Sequence, residues 1–383
     1  MDLHYTAEQN AFRAEVRAWM QQHVPREALP DYDTFEGFQA HRAWEKTLNS
    51  AGYAGITWPE ALGGRGASLF EWLIFEEEYW AADAPLRLNQ NGVFLLGPTL
   101  MEYGTEAQKA RFLPRMAACD DMWAQAWSEP GAGSDMAAIR TTAVRDGDHY
   151  VINGQKTWST RARWADWIFG LFRTEAGSQR HHGLSYLLVP LDTPGVTIRP
   201  IRQLNGLAGF AEIFFDNVRV PVDCCLGAEG EGWNVAMATA GFERGLLLRS
   251  PARYQQTARR LRTLYLANRD AADRDLSIRD AVIRAISATE AYALSTYRTV
   301  SMLAKGSKIG PESSTNKIFW SELDLLLHDT ALRILGSRAE LDTPESRRWM
   351  EGFMFAQAGP IYAGSNEIQR NIVAERMLGM PRQ

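Results

Sequence analysis

The feature that most limits the fold is a change of hydrophobic period along the chain. Up to about residue 118, and again from 232 onward, apolar residues recur at helical spacing; between 119 and 231 the spacing falls to two. Thr6 to Met20 sets Phe12, Val16 and Trp19 on one face, Phe38 to Ala51 is a second amphipathic run, and a third helix starts at Ser68, whose hydroxyl can cap the turn containing Glu71. The run Glu76-Glu77-Glu78 is expected to form a solvated helix face. The middle region reads as short strands: Thr141–Val144, Tyr150–Ile152, Trp167–Arg173, Leu184–Pro190, Val196–Ile201 and Glu212–Phe215. Asp146-Gly147, Asn153-Gly154 and Pro194-Gly195 supply turn signals between them. Short strands at close spacing indicate a small barrel or sandwich. After 232, Ser277 to Lys305 carries a stripe of Val282, Ile286, Ala293, Tyr297 and Val300, with Ser277 and Asp280 spaced as a capping box. Pro311 to Gly336 is a further helix, and Pro251 should end or kink the helix holding Phe242 to Leu248. The expected class is α+β in three parts: an N-terminal helical domain (1–118), a β domain (119–231) and a C-terminal helical domain (232–383).

The chain of 383 residues is 45% hydrophobic, enough for a large core, and its net charge of −5 argues against a nucleic-acid partner. Three cysteines, two of them adjacent, make no disulfide framework and fit a reducing compartment. Met1-Asp2-Leu3-His4 has neither a basic region nor an apolar run like a signal peptide, and no apolar stretch is long enough to span a bilayer, so a cytoplasmic protein without membrane insertion is expected. His181-His182 has no partner at ligand spacing, so no metal is expected. Gly227-Ala228-Glu229-Gly230-Glu231-Gly232 lacks the spacing and context of a dinucleotide fingerprint.

Two clusters carry groups suited to chemistry. Trp123-Ala124-Gln125-Ala126-Trp127-Ser128 alternates as a strand and runs into Glu129-Pro130-Gly131-Ala132-Gly133-Ser134-Asp135, a sharp turn rich in hydroxyls and carboxylates. Asn153-Gly154-Gln155-Lys156-Thr157-Trp158-Ser159-Thr160 reads as a hairpin turn entering a strand that ends in hydroxyls beside a tryptophan. Alone, either tryptophan would be ordinary core packing.

Together these stretches resemble the acyl-CoA dehydrogenase family of flavoproteins. The resemblance continues in Phe214-Phe215-Asp216-Asn217-Val218-Arg219-Val220-Pro221 and in Ile361-Tyr362-Ala363-Gly364-Ser365-Asn366-Glu367-Ile368-Gln369-Arg370, so that four motifs in family order cover nearly the whole chain. It implies a helical N-terminal domain, a middle β-barrel domain and a C-terminal helical bundle, with FAD as cofactor. A flavin needs hydrogen bonds at its polar edge and N5, cover on its ring faces and donors for its pyrophosphate. By resemblance Gln125, Ala126, Trp127 and Ser128 line the ring, Trp158 and Thr160 join them with Thr160 near N5, and Ser365 and Glu367 meet the nucleotide end. Ser134 falls on the substrate side near the CoA chain.

Oxidising a saturated acyl thioester requires a base at the α carbon while the β hydrogen leaves as hydride, and donors on the thioester oxygen. Many family members carry the base glutamate between the Tyr and Gly that open the last motif; here that position is Ala363. Members of the isovaleryl- and long-chain type place it before an arginine on a C-terminal-domain helix, which points to Glu243 as base and Arg244 as substrate contact in Gly241-Phe242-Glu243-Arg244-Gly245. At Ala363 and Gly364 only backbone N–H groups are needed to hold the thioester oxygen. The family's Arg-x-x-Phe-Gly has no counterpart between Leu264 and Ile286, and Arg333 replaces the usual Gln before Leu335-Gly336-Ser337. Arg161 and Arg163 follow Thr160 where small residues are common; they read as solvent-facing, with an acidic acyl group as the alternative.

The resemblance implies an acyl-CoA substrate, a 2,3-enoyl-CoA product, electron transfer to an electron-transfer flavoprotein, and a homotetramer or dimer, with a related second subunit as a further option. An oxidase or monooxygenase on the same scaffold, and a non-catalytic subunit completing a partner's flavin site, are the competing readings.

Overall fold

The computed structural model describes residues 4–244, 250–273, 275–307 and 310–381, with the side chains of 243, 244 and 271 left out. In chain order the helices are α1 (Ala7–His23), α2 (Phe35–Ser50), α3 (Leu69–Ala81), α4 (Gly97–Tyr103), α5 (Glu106–Ala117), α6 (Gly232–Arg244), α7 (Pro251–Ala267), α8 (Arg269–Ala272), α9 (Leu276–Ala304), α10 (Glu312–Leu335), α11 (Pro344–Ala358) and α12 (Asn366–Ile372). The strands are β1 (Trp123–Ala126), β2 (Thr142–Asp146), β3 (His149–Thr160), β4 (Trp167–Arg173), β5 (Leu184–Pro190), β6 (Val196–Ile201), β7 (Phe210–Pro221) and β8 (Cys225–Leu226). These divide into two compact units, one of Met1–Val24, Ser68–Ala84 and Arg244–Gln383, the other of Pro25–Ala67 and Pro85–Glu243.

The second unit is built on one sheet. Among the described residues its order is β6-β7-β3-β2-β4-β5-β8, with β1 added alongside β4. The sheet is open, which corrects the expected barrel. β6 pairs only with β7, β8 only with β5, and no register joins the two ends. The reason lies in the end strands. β6 buries none of its residues, so it has no inner face to close on, and the two residues of β8 are too few to carry a closing ladder.

β4, β5 and β6 fall where the spacing predicts them, whereas β3 and β7 each run to 12 residues, well beyond the short segments expected. Asn153-Gly154 is not a hairpin turn. Gly154, at φ 141, occupies a register irregularity inside a continuous strand, and a Cβ there would meet Thr141 Oγ1 at 2.7 Å. The hairpin turn is at Gly147, between β2 and β3.

The first unit is helical and centred on α10, which packs on α7, α9, α11 and α12. Its core joins Tyr254, Leu261 and Leu264 to Val282, Ala285 and Tyr292, and both sets to Trp320, Leu323, Leu327 and Ala331. Pro251 opens α7 behind the N-cap Ser250; the stretch expected before it, 245–249, lies outside the described residues. Ser277 is not a cap. Asp275 caps α9 by accepting from the Ser277 N–H. Glu76-Glu77-Glu78 is not a solvated face either. Glu76 and Glu78 are buried, Arg13 and Arg17 of α1 donate to Glu78 at 2.8–3.0 Å, and Glu77 accepts from Arg13 and from the Tyr5 and Tyr297 hydroxyls. Burial would raise the Glu78 carboxyl, but the two arginines hold it below the ordinary range.

Candidate active site

The site grows from β1. This strand lies parallel to β4, with Ala126 opposite Gly170. A Cβ on Gly170 would stand 2.4 Å from the Ala126 carbonyl oxygen, so glycine is what lets the strands close. Beyond Ala126 the chain leaves the sheet. Glu129 and Ala132 exchange two backbone hydrogen bonds of 3.0 Å and fold Pro130-Gly131 into a tight loop. Gln125, Trp127 and Ser128 are half-buried, Ala126 is buried, and Ser134 is exposed further round the turn.

The two motifs meet. The Thr157 N–H donates to the Ser128 carbonyl at 2.9 Å. Behind that contact is an ion pair that the sequence reading did not single out. Lys156 Nζ, fully buried, lies 2.8 Å from Glu129 Oε1 and donates to the Leu171 carbonyl at 2.7 Å. The Glu129 carboxylate also accepts the Arg140 and Thr141 N–H groups at 2.6 and 3.0 Å. Burial pushes Lys156 down to about 8 despite the carboxylate beside it. Burial would raise Glu129, but Lys156 and the two amides hold it below the ordinary range. The available signal was a lysine at an even position of the strand whose earlier even positions Tyr150 and Ile152 are buried, although exposed Gly154 interrupts the series.

Trp158 sits in a second register irregularity of β3, between Lys156 and Ser159, with φ 58 and 59% of its surface exposed. A left-handed backbone is uncommon for so bulky a residue and marks a constrained position. Its indole makes an edge-to-face contact with Phe210, centroids 5.9 Å apart, and is otherwise largely open. Trp127 Nε1 and Ser159 Oγ are buried without a partner among the described residues, and Thr160 is half-buried at the strand end.

In the other unit, Ala363 and Gly364 are consecutive left-handed residues at φ 56 and 81. Neither N–H is bonded to another described residue. Ser365 caps α12 by accepting from Ile368, and Glu367 is exposed. The segment is held from below by groups the sequence did not reveal: buried Lys317 donates to the Gly359 carbonyl at 2.9 Å and to Asn366 Oδ1 at 2.7 Å, and Ser321 donates to the same oxygen at 3.1 Å. Arg333, in the last turn of α10, reaches the start of α9 and donates to Ser277 Oγ at 2.6 Å. Glu243 and Arg244 end α6, and their side chains lie outside the described residues. Among the described residues there is no group of three or more His, Cys, Asp or Glu that could hold a metal, and no helix is long and apolar enough to cross a membrane.

Sequence models of three successive regions match this chain: acyl-CoA dehydrogenase N-terminal domain over residues 6–120, middle domain over 124–218 and C-terminal domain over 230–378. The chain belongs to the acyl-CoA dehydrogenase family. It is 46% identical over 384 residues to the acyl-CoA dehydrogenase IpdE1 of Mycobacterium tuberculosis, covering 97% of this chain and 98% of that one. Its fold matches a solved structure described as the Tcur3481-Tcur3483 steroid ACAD with a TM-score of 0.86 at 29% identity, over the whole of both chains. The ChsE4-ChsE5 complex from Mycobacterium tuberculosis matches with a TM-score of 0.85 at 30% identity, again over both whole chains. The protein is thus an FAD-dependent oxidoreductase of the acyl-CoA dehydrogenase type.

The residues present fit the ring end of that cofactor. A flat ring with a polar edge needs an aromatic face, hydroxyls and N–H donors that are desolvated but unspent. The largely open Trp158 indole, the unpartnered Trp127 Nε1 and the half-buried Ser128 and Thr160 hydroxyls offer that set.

Proposed function

We propose that this acyl-CoA dehydrogenase removes hydrogen from the α and β carbons of an acyl-CoA thioester to give the 2,3-enoyl-CoA. The observation that carries the reading is the joining of Trp127-Ser128 to Thr157-Trp158 through one backbone bond and one buried ion pair, with aromatic faces and hydroxyls left unspent. When bound, FAD supplies the hydride acceptor. In this reading Gln125, Ala126, Trp127, Ser128, Trp158 and Thr160 hold its ring, and Ser365 and Glu367 its nucleotide end. Glu243 takes the α proton as general base, with Arg244 and Ser134 contacting the substrate. The Ala363 and Gly364 N–H groups, presented by their left-handed backbone, suit the thioester oxygen, where negative charge grows as the α proton leaves. Only the N–H is needed there, so alanine serves.

Electrons then pass to an electron-transfer flavoprotein. A second reading is favoured by the two-chain assemblies among the similar structures: the chain works beside a related subunit rather than in a homo-oligomer. Anaerobic titration of the flavin with a panel of acyl-CoA esters tests the function, and bleaching is expected. Glu243→Gln should keep the yellow colour and lose bleaching; unchanged bleaching removes Glu243 from the mechanism. A chain that stays colourless and inert until a related subunit is added would replace the first reading by the second.

A further inference from the structure

Arg161 follows Thr160 in the chain and is held at φ 55, a left-handed backbone that a long side chain adopts only under constraint. The expectation that it faces solvent fits Arg163, which is exposed, but not Arg161. The Arg161 guanidinium lies over the Tyr32 ring, 5.1 Å from its centroid, and interacts with the Tyr32 hydroxyl. Its Nη1 donates to the Leu88 carbonyl at 3.1 Å, while Nε is buried with no partner among the described residues. The neighbouring carboxylate is already engaged: Glu45, 1% exposed, pairs with the buried Arg87 at 3.1 Å and accepts the Leu88 N–H at 2.6 Å. Glu45 is thus bonded to Arg87 and acts on Arg161 through its charge rather than by contact. A guanidinium has five N–H donors, and leaving Nε desolvated and unmatched is unfavourable until an acceptor arrives. The segment that supplies Leu88 runs on into a π-helix, Asn91–Leu96, a deformation that concentrates at functional sites.

We propose that Arg161 is a specificity-determining residue whose guanidinium recognises an oxygen acceptor, a carbonyl or carboxylate, carried by the acyl group away from the thioester. This rests on the reading that sets Thr160 beside the flavin N5. In that reading the carbon that loses hydride approaches N5 beside the end of β3, the strand end that carries Arg161. A plain alkyl chain would lay methylenes against a desolvated cation and leave Nε unmatched. An oxygen acceptor supplies its missing partner. Sites built to bond a substrate oxygen discriminate strongly against the analogue that lacks it.

The test compares three six-carbon esters, hexanoyl-, 5-oxohexanoyl- and adipoyl-CoA, by kcat/KM for anaerobic reduction of the flavin, in the wild-type protein and in Arg161→Asn, since asparagine tolerates the left-handed backbone. The wild type should prefer one of the oxygenated esters to hexanoyl-CoA, and Arg161→Asn should cut that ratio by about 10- to 100-fold. Preference for 5-oxohexanoyl-CoA assigns a neutral carbonyl, and preference for adipoyl-CoA a carboxylate. A wild type indifferent to the oxygen overturns the proposal, as does a variant in which all three esters fall together with the ratio intact. If Arg161→Asn does not retain FAD, Arg161→Lys, which keeps the charge but loses the planar fork, is read by the same ratio. Bleaching by none of the three in the wild type counts against the proposed function itself, and this inference falls with it.

Discussion

Replacing Lys156 by methionine isolates the buried ion pair that ties the two ring-binding motifs together. Methionine matches the lysine stem in volume but leaves the Glu129 carboxylate, 8% exposed, without its cation. Breaking a buried pair from one side typically costs about 3–5 kcal/mol. The Arg140 and Thr141 amides still satisfy part of the carboxylate, which sets the expectation near the lower end, about 3 kcal/mol, with roughly 1 kcal/mol more because the Leu171 carbonyl loses its donor. Adding Glu129→Gln removes the stranded charge, so the double variant should be milder than the sum of the singles, with a coupling of about 2–3 kcal/mol. The readout is urea unfolding followed by tryptophan fluorescence. The pH dependence supplies an internal check. In the wild type the Glu129 carboxyl lies below its unfolded value of about 4.3, so its contribution is complete above that value and is lost as pH falls through the folded one. Without Lys156, burial raises the carboxyl instead and the sign reverses. The gap between wild type and Lys156→Met should therefore close on acidification from neutrality. A single-variant cost under about 1 kcal/mol, a vanishing coupling, or a gap independent of pH would falsify the reasoning.

Trp158→Gly removes a left-handed tryptophan and should leave the FAD-free chain as stable or about 1 kcal/mol more so, while FAD binds more weakly; equal losses in both measurements would mean that the indole is a packing residue. Gly170→Ala drives a methyl group to within 2.4 Å of the Ala126 carbonyl oxygen, so β1 must shift; a loss of about 2–3 kcal/mol in urea unfolding and lower flavin occupancy are expected. Asn366→Leu deprives Lys317 and Ser321 of a shared acceptor and should cost about 2–4 kcal/mol by thermal or urea unfolding, whereas Asn366→Asp keeps an oxygen there and should be much milder.

How far the sequence could be read depended on whether a residue's environment was local. β4, β5 and β6 were legible because apolar runs bounded by turn residues need only neighbours in sequence to be recognised. The capping box of Ser68 and Glu71 was legible for the same reason. β3 and β7 were cut short because their irregularities carry Gly154 and Asn217, turn-like residues placed inside long strands. The openness of the sheet was not legible, since closure depends on which end strands pair. Glu76 to Glu78 misled because charge on a helix reads as solvation until Arg13, Arg17 and Tyr297 arrive from distant segments. At the site, the aromatic and hydroxyl pattern of Trp127-Ser128 and Trp158-Thr160 could be picked out in sequence. The Lys156–Glu129 pair and the Lys317–Asn366 anchor could not, because each joins residues far apart in the chain.

The helical unit is assembled from both extremities of the polypeptide, with α1 and α3 packed against one another and α3 against α7. During synthesis the first two emerge long before their later neighbour exists. The part of α3 that meets α7 must wait for its cover until more than half of the chain has left the ribosome. Loss of the C-terminal portion would therefore strip protection from an early helix as well as from the residues next to the break, and a prematurely terminated product should enter the insoluble fraction rather than persist as a trimmed enzyme.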